Sequence, residues 1–246
     1  MVPGASGEMV WYRDLARHLG PEQPFHGFQA RGLDGIQVPR TRVEAMADHY
    51  IEEMRRVQPQ GPYILAGMCF GGLVAFEMAQ QLRYHPDGPQ VALVAMIDTV
   101  RQSPEGLGAR IRFFLGNFIE LDLRTKLSYL WHSSVGRFST KQKYREYQRL
   151  KAENRRSQAV VDTPVWKACA RAWQDYHPLV YPGRLVLFRA GGRSPYNPYL
   201  GWNGMATGGI EVYDIPTGHY GLIREPGVQI LAQKLRACMD QALGMI

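Results

Sequence analysis

Cysteine is scarce in this chain and long apolar runs are missing, and each shortage removes a class of protein. Cys69, Cys169 and Cys238 are too few and too widely spaced for a disulfide framework, and none sits in the paired spacing of a zinc site, so no metal is expected. No stretch approaches the roughly 20 consecutive apolar residues of a membrane span, so no membrane association is expected. The opening Met1-Val2-Pro3-Gly4 has neither the basic segment nor the apolar run of a secretory signal, and the expected location is cytoplasmic. Internal repeats and low-complexity tracts are also missing. The 246 residues, 45% hydrophobic and 21% charged, suit one globular domain over 1–246 that carries an insertion, with a monomer as the default state.

The formal charge of +7 invites a nucleic-acid reading, but the basic residues are not gathered into a binding module, so no nucleic-acid partner is expected. Residues 104–165 hold twelve Lys or Arg against six Asp or Glu, so most of the excess lies in that one segment. It reads either as a solvated surface or as a face for an acidic partner.

Periodicity gives the organisation. Trp11, Leu15 and Leu19, then Val43, Met46, Ala47, Tyr50, Ile51, Met54 and Val57, recur at helical spacing on either side of 25–30, so strand and helix alternate through the first half. Residues 62–66 read as a short buried strand that Gly67 joins to a helix carrying Leu73, Phe76, Met78 and Ala79. Val91–Ile97 is a second continuous apolar run, ending at Asp98. Such runs fit parallel strands buried on both faces. The rhythm then breaks for about sixty residues into a basic, aromatic-rich insertion, 104–165, helical over 111–131 and 141–155. Strands resume at 184–189 and Ile210–Ile215, and a helix over 228–243 closes the chain. This order predicts an α/β fold with a doubly wound, mostly parallel sheet, whose ligand crevice lies outside the carboxyl ends of the strands. Cys69, Asp98 and His219 each follow a different expected strand and would meet at that rim.

The chemistry is carried by Gly67-Met68-Cys69-Phe70-Gly71-Gly72, a G-x-S-x-G nucleophile elbow with cysteine in the serine position. Glycines allow the tight strand-to-helix turn, and the central residue is forced into a strained, exposed position at a helix N-terminus, where partial positive charge favours thiolate over thiol. An inert cysteine in a glycine-rich turn is the bland alternative, and it is the preferred reading for Cys169 and Cys238, which fall in helical patterns. Of seven histidines, only His219 lies late in the chain in a loop between a strand and the last helix. His18 and His49 sit on helices, His26 lies near an early strand, and His85, His132 and His177 lie in connecting or inserted segments. The acid comes by elimination: the common hydrolase position after strand 184–189 holds Ala190-Gly191-Gly192-Arg193-Ser194 and no carboxylate. Asp98 would hold the imidazole tautomer and stabilise imidazolium, with a helix N-cap as its competing role. The oxyanion hole should combine the backbone N–H of Phe70 with one from the early loop 3–7, for which Ala5 is the candidate and its neighbours Gly4 and Ser6 the alternatives. The same loop lacks the lysine and hydroxyl of a phosphate-binding loop.

These residues resemble the thioesterase domains that terminate nonribosomal peptide and polyketide assembly lines, a branch of the α/β-hydrolase superfamily. The resemblance rests on Val2-Pro3-Gly4-Ala5-Ser6-Gly7, the segment from Gly61-Pro62-Tyr63 to Phe76-Glu77-Met78-Ala79, Met96-Ile97-Asp98, Tyr181-Pro182-Gly183, Gly218-His219-Tyr220 and Glu225-Pro226. It implies that the insertion is a mobile helical lid over an acyl channel. It also implies that a carrier protein presents a small-molecule acyl or peptidyl chain on its phosphopantetheine arm. Cys69 would accept the chain, and water or an internal nucleophile would remove it. The arm belongs to the partner, so no cofactor of the domain's own is expected. Phe113, Phe114, Phe118, Tyr129, Leu130 and Trp131 line the channel or pack on the body.

Two departures from the family pattern stand out. The chain has almost no strand before Pro3-Gly4, where the family usually supplies an apolar one. Cys69 is the minority nucleophile, either native or a replacement for serine. A native cysteine would keep the acyl group activated, because one thioester is exchanged for another, and would favour aminolysis or closure of a strained ring over hydrolysis. A free-standing editing thioesterase is a close alternative. A dienelactone-type cysteine hydrolase shares the elbow but needs an acid after Arg189, and a noncatalytic binding module leaves the co-occurrence of Cys69, Asp98 and His219 as coincidence. Carriers of the family are typically acidic, so charge reversal at Arg155 and Arg156 is expected to weaken carrier-dependent turnover. Steady-state rates on a carrier-bound thioester check this, and an unchanged rate refutes an electrostatic role for the basic segment.

Overall fold

In the computed structural model the described residues are 1–84, 91–101, 163–191 and 197–244. A 3-10 turn at Val10–Tyr12 leads into α1 (Arg13–Leu19), followed by α2 (Val43–Val57), β1 (Tyr63–Met68), α3 (Phe70–Arg83) and β2 (Val91–Ile97). From residue 163 onwards come α4 (Pro164–Asp175), β3 (Leu185–Ala190), β4 (Ile210–Ile215), a 3-10 turn at His219–Ile223 and α5 (Gly227–Ala242). Thr163 caps α4 by accepting the Trp166 amide at 3.2 Å, with Pro164 in the first turn, where its missing N–H costs nothing. The helices expected at 111–131 and 141–155, the basic residues Arg155 and Arg156, and the aromatic residues assigned to the channel lie outside the described residues.

All described strand pairs are parallel, in the order β1-β2-β3-β4. Because successive side chains of a strand point to opposite faces, the apolar runs divide between two cores. Leu65, Val94, Met96, Leu185 and Leu187 pack with α2, α3 and α4. Ala66, Leu93, Ala95, Ile97, Val186 and Phe188 pack with α1 and α5. That two-sided burial is why the strands read as continuous apolar runs rather than alternating ones. The result is the α/β-hydrolase layering, with helices on both faces of a parallel sheet. Among the described residues no helix is long and apolar enough to cross a membrane.

Two local expectations are corrected. Residues 25–30 form no strand; the Phe28 amide donates to the Met1 carbonyl at 3.1 Å and the Ala30 amide to Gly7 at 3.0 Å. Between this segment and β1 lies a two-residue stub, in which Val2 makes one parallel bridge to Gly67. Trp11 is not on the buried face of the first helix. It is 44% exposed, whereas Tyr12 is 3% exposed, because the helix opens with a 3-10 turn and its inner stripe runs Tyr12, Leu15, Leu19.

The β1–α3 turn is the tightest backbone approach near the rim. A Cβ built on Gly67 would lie 2.1 Å from the Gly71 carbonyl oxygen, a backbone atom that no rotamer change can move. Gly67→Ala is therefore expected to destabilise the fold by about 3 kcal/mol, the upper range for overpacking, read as a lower midpoint in urea unfolding.

Candidate active site

Strand register brings the chemical groups together. Met68 pairs with Ile97, and Ile97 pairs with Phe188, so Cys69 and Asp98 occupy the next position beyond two neighbouring strand ends. The ladder runs on through them: the Cys69 amide donates to Ile97 at 2.8 Å and the Asp98 amide to Phe188 at 2.7 Å. Both residues then leave their strands in the left-handed region, with φ 54° at Cys69 and 47° at Asp98. That conformation is uncommon for residues with a Cβ and costs on the order of 1–3 kcal/mol each. Its effect is to turn both side chains off the ladder towards the rim.

Asp98 is 1% exposed and both its oxygens are bonded. Oδ1 accepts the Ala190 amide at 3.1 Å, and Oδ2 accepts Nδ1–H of His219 at 2.6 Å. These described bonds run to β3 and to His219, as the role of orienting acid requires. Ala190, the last residue of β3, supplies a backbone donor to Asp98. That donor was invisible in the sequence, because every residue except proline has the same N–H. Of the residues expected after β3, 192–194 lie outside the described ones.

His219 opens the 3-10 turn that follows β4. With Nδ1 committed to Asp98, Nε2 is the nitrogen left for a second partner, and Cys69 lies electrically close to the ring. Burial works against the charged imidazole, but the bond to Asp98 and the negative charge of Cys69 and Asp98 outweigh it and hold the pKa up at about 9. The ring carries its proton at neutral pH. Cys69 is partly exposed, whereas Cys169 and Cys238 are buried in helices. Burial pushes the Cys169 thiol up to about 12 and raises that of Cys238, which suits inert packing. His18 pairs with Glu225 at 2.5 Å, a contact between α1 and the turn after His219 rather than part of the rim.

The elbow sits against the N-terminal loop. A Cβ on Gly71 would lie 2.4 Å from the Pro3 carbonyl oxygen and 2.5 Å from that of Val2, so loop 3–7 rests on the first turn of α3. Cys69 precedes that turn without capping it through its side chain. Among the described residues, the amides of Phe70, Ala5 and Ser6 have no acceptor, whereas the Gly4 amide is taken by Tyr12 Oη and the Gly7 amide by the Gly4 carbonyl. A small cleft beside them is lined in part by Gly4, Phe70, Val74, Val165 and Cys169. A second cavity, of about 960 Å³, lies between β1 and residues 23–34, away from Cys69. Among the described residues no group of three or more His, Cys, Asp and Glu side chains is arranged to hold a metal. Around the β1–α3 turn the structure thus holds a partly exposed thiol, and beyond the end of β2 a buried carboxylate bonded to a histidine.

The pair carries a pH signature. A folded pKa near 9 against an ordinary value of 6.5 means that the His219–Asp98 contribution to stability is complete below about pH 6.5 and is lost as pH rises through about 9. Wild type minus Asp98→Asn in urea unfolding at several pH values is expected to shrink across that window. A difference independent of pH would show that no proton is held by the pair.

Comparison with known proteins gives a consistent family. Residues 1–112 match the thioesterase domain family model. Malpibaldin synthetase of Mortierella alpina is 30% identical over 236 residues, which are 94% of this chain and 4% of the synthetase. Indigoidine synthase of Dickeya dadantii is 48% identical over 80 residues, 32% of this chain and 5% of that protein. The chain therefore spans only a small fraction of these curated relatives. Among solved structures, the NocB thioesterase domain from the nocardicin cluster superposes with a TM-score of 0.65 at 23% identity, covering 99% of this chain and 91% of that one. The four-domain nonribosomal peptide synthetase AB3403 gives 0.66 at 24% identity, covering 98% and 19%.

Proposed function

Because the chain belongs to the thioesterase domain family of nonribosomal peptide synthetases, on the α/β-hydrolase fold, we propose that it releases an acyl or peptidyl chain from a phosphopantetheinyl carrier protein through an acyl-Cys69 intermediate. The observation that carries the reading is the buried His219–Asp98 pair, bonded at 2.6 Å, next to a cysteine held at positive φ. With its proton on His219 Nε2, the Cys69 sulfur attacks the thioester carbonyl. The Phe70 and Ala5 amides receive the developing oxyanion. Collapse expels the pantetheine thiolate, which takes the proton from His219 and leaves the acyl group on Cys69. Water, or an amine or hydroxyl of the chain itself, then attacks this second thioester. His219 removes the nucleophile's proton and returns it to the Cys69 sulfur as the product leaves. Asp98 stays ionised and holds the imidazolium in place.

The exchange of thioester for thioester conserves the activation of the acyl group, so the domain is suited to amide formation or strained-ring closure as well as hydrolysis. Intact mass of the protein mixed with an acyl-carrier thioester should show the acyl increment within seconds, and Cys69→Ala should show none. An increment retained by Cys69→Ala would remove Cys69 from the chemistry. In the same run Cys69→Ser is expected to shift products towards hydrolysed acid, whereas identical products from both would remove the argument from thioester activation.

A further inference from the structure

We infer that Tyr12 is a positioning residue for oxyanion stabilisation, its hydroxyl fixing the loop so that the Ala5 amide is aimed at the reacting carbonyl. The inference rests on the acyl-transfer reading of the site. Tyr12 is 3% exposed, and its ring lies in the apolar cluster with Leu15, Leu19 and Met68. Phenylalanine would fill such a place equally well, so the hydroxyl needs a reason. Its described bond is to the oxyanion loop: Gly4 N–H donates to Tyr12 Oη at 3.0 Å.

Geometry links that bond to Ala5. Each peptide unit is planar and trans, so the direction of one polar group fixes the other. The Pro3–Gly4 unit is held through its N–H by Tyr12. The Gly4–Ala5 unit is held through its carbonyl, which accepts the Gly7 amide at 2.9 Å. With that carbonyl pinned, the Ala5 N–H must point the opposite way, and among the described residues it meets no acceptor. Tyr12 and Gly7 thus clamp the two units on either side of Gly4 and fix the direction of the Ala5 N–H. The same clamp removes Gly4 and Gly7 as oxyanion donors.

The Tyr12 hydroxyl is also electrically close to the nucleophile. Burial first, and the charge of Cys69 in addition, raise its pKa to about 12 against the opposing Gly4 bond. It stays neutral, a constant acceptor, wherever Cys69 and His219 work.

Tyr12→Phe keeps the ring and deletes only the acceptor. Removing an oxyanion donor outright costs about 10²–10³ in kcat, and a donor left in place but loosened is expected to cost about tenfold, with KM unchanged. The control is alkylation of Cys69 by iodoacetamide, which attacks a saturated carbon and forms no oxyanion; its rate should stay within about twofold of wild type. A kcat within about twofold of wild type overturns the inference. So does an alkylation rate that falls in step with kcat, because Tyr12 would then be acting on the fold or on Cys69. If wild type itself never acylates from a loaded carrier, the acyl-transfer reading falls and this inference with it.

Discussion

Everything at this site depends on how closely one backbone approaches another around the strand-to-helix turn at Cys69. Gly67 lies against the Gly71 carbonyl, Gly71 against the carbonyls of Val2 and Pro3, and Gly72 against the Thr99 side chain, each at a distance that leaves no room for a Cβ. These contacts press four parts of the chain together: the end of β1, the start of α3, the N-terminal loop and the turn after β2. A strained conformation at Cys69 persists because the surroundings over-determine it. Cys69, the Phe70 amide and Asp98 are thereby held largely by main-chain contacts, which tolerate little adjustment.

The electrostatic part is simpler. Asp98 has lost almost all its water and replaces it with the Ala190 amide and the His219 ring. A buried carboxylate satisfied in this way favours a protonated imidazole beside it, and the negative charge of Cys69 acts in the same direction. Burial of Asp98 and charge on His219 are two aspects of one arrangement. Thr99, directly after Asp98, secures the same turn, since the fully buried Trp202 donates its indole N–H to the Thr99 carbonyl at 2.9 Å.

Much of the architecture was legible from residue patterns. Val91–Ile97 and Ile210–Ile215 were read with the bounds they have, because continuous apolar runs ending at polar residues mark buried parallel strands clearly. β1 runs two residues further than read, through Gly67 and Met68, since a glycine before an elbow looks like the turn itself. Trp11 was placed on the inner stripe for a related reason. A single 3-10 turn rotates the helix phase, and the alternative stripe from Tyr12 was equally present in the sequence. The strand implied at 25–30 failed because pairing needs a neighbour, and only Met1 and Gly7 take its described amide bonds.

The sequence by itself determined the kinds of chemistry on offer: a cysteine in an elbow, a late-loop histidine, and an aspartate ending a buried strand, with no carboxylate where other hydrolases keep theirs. These are local facts, set by residue type and by the periodicity of a few residues on either side. Tertiary structure alone decided that the Ala190 amide would support Asp98, that Asp98 and Cys69 together would outweigh the burial of the His219 ring, and that a buried tyrosine would hold the loop at Gly4. Each of these joins residues distant along the chain or uses a backbone group that every residue carries, so their direction and distance exist only once the sheet has set its register.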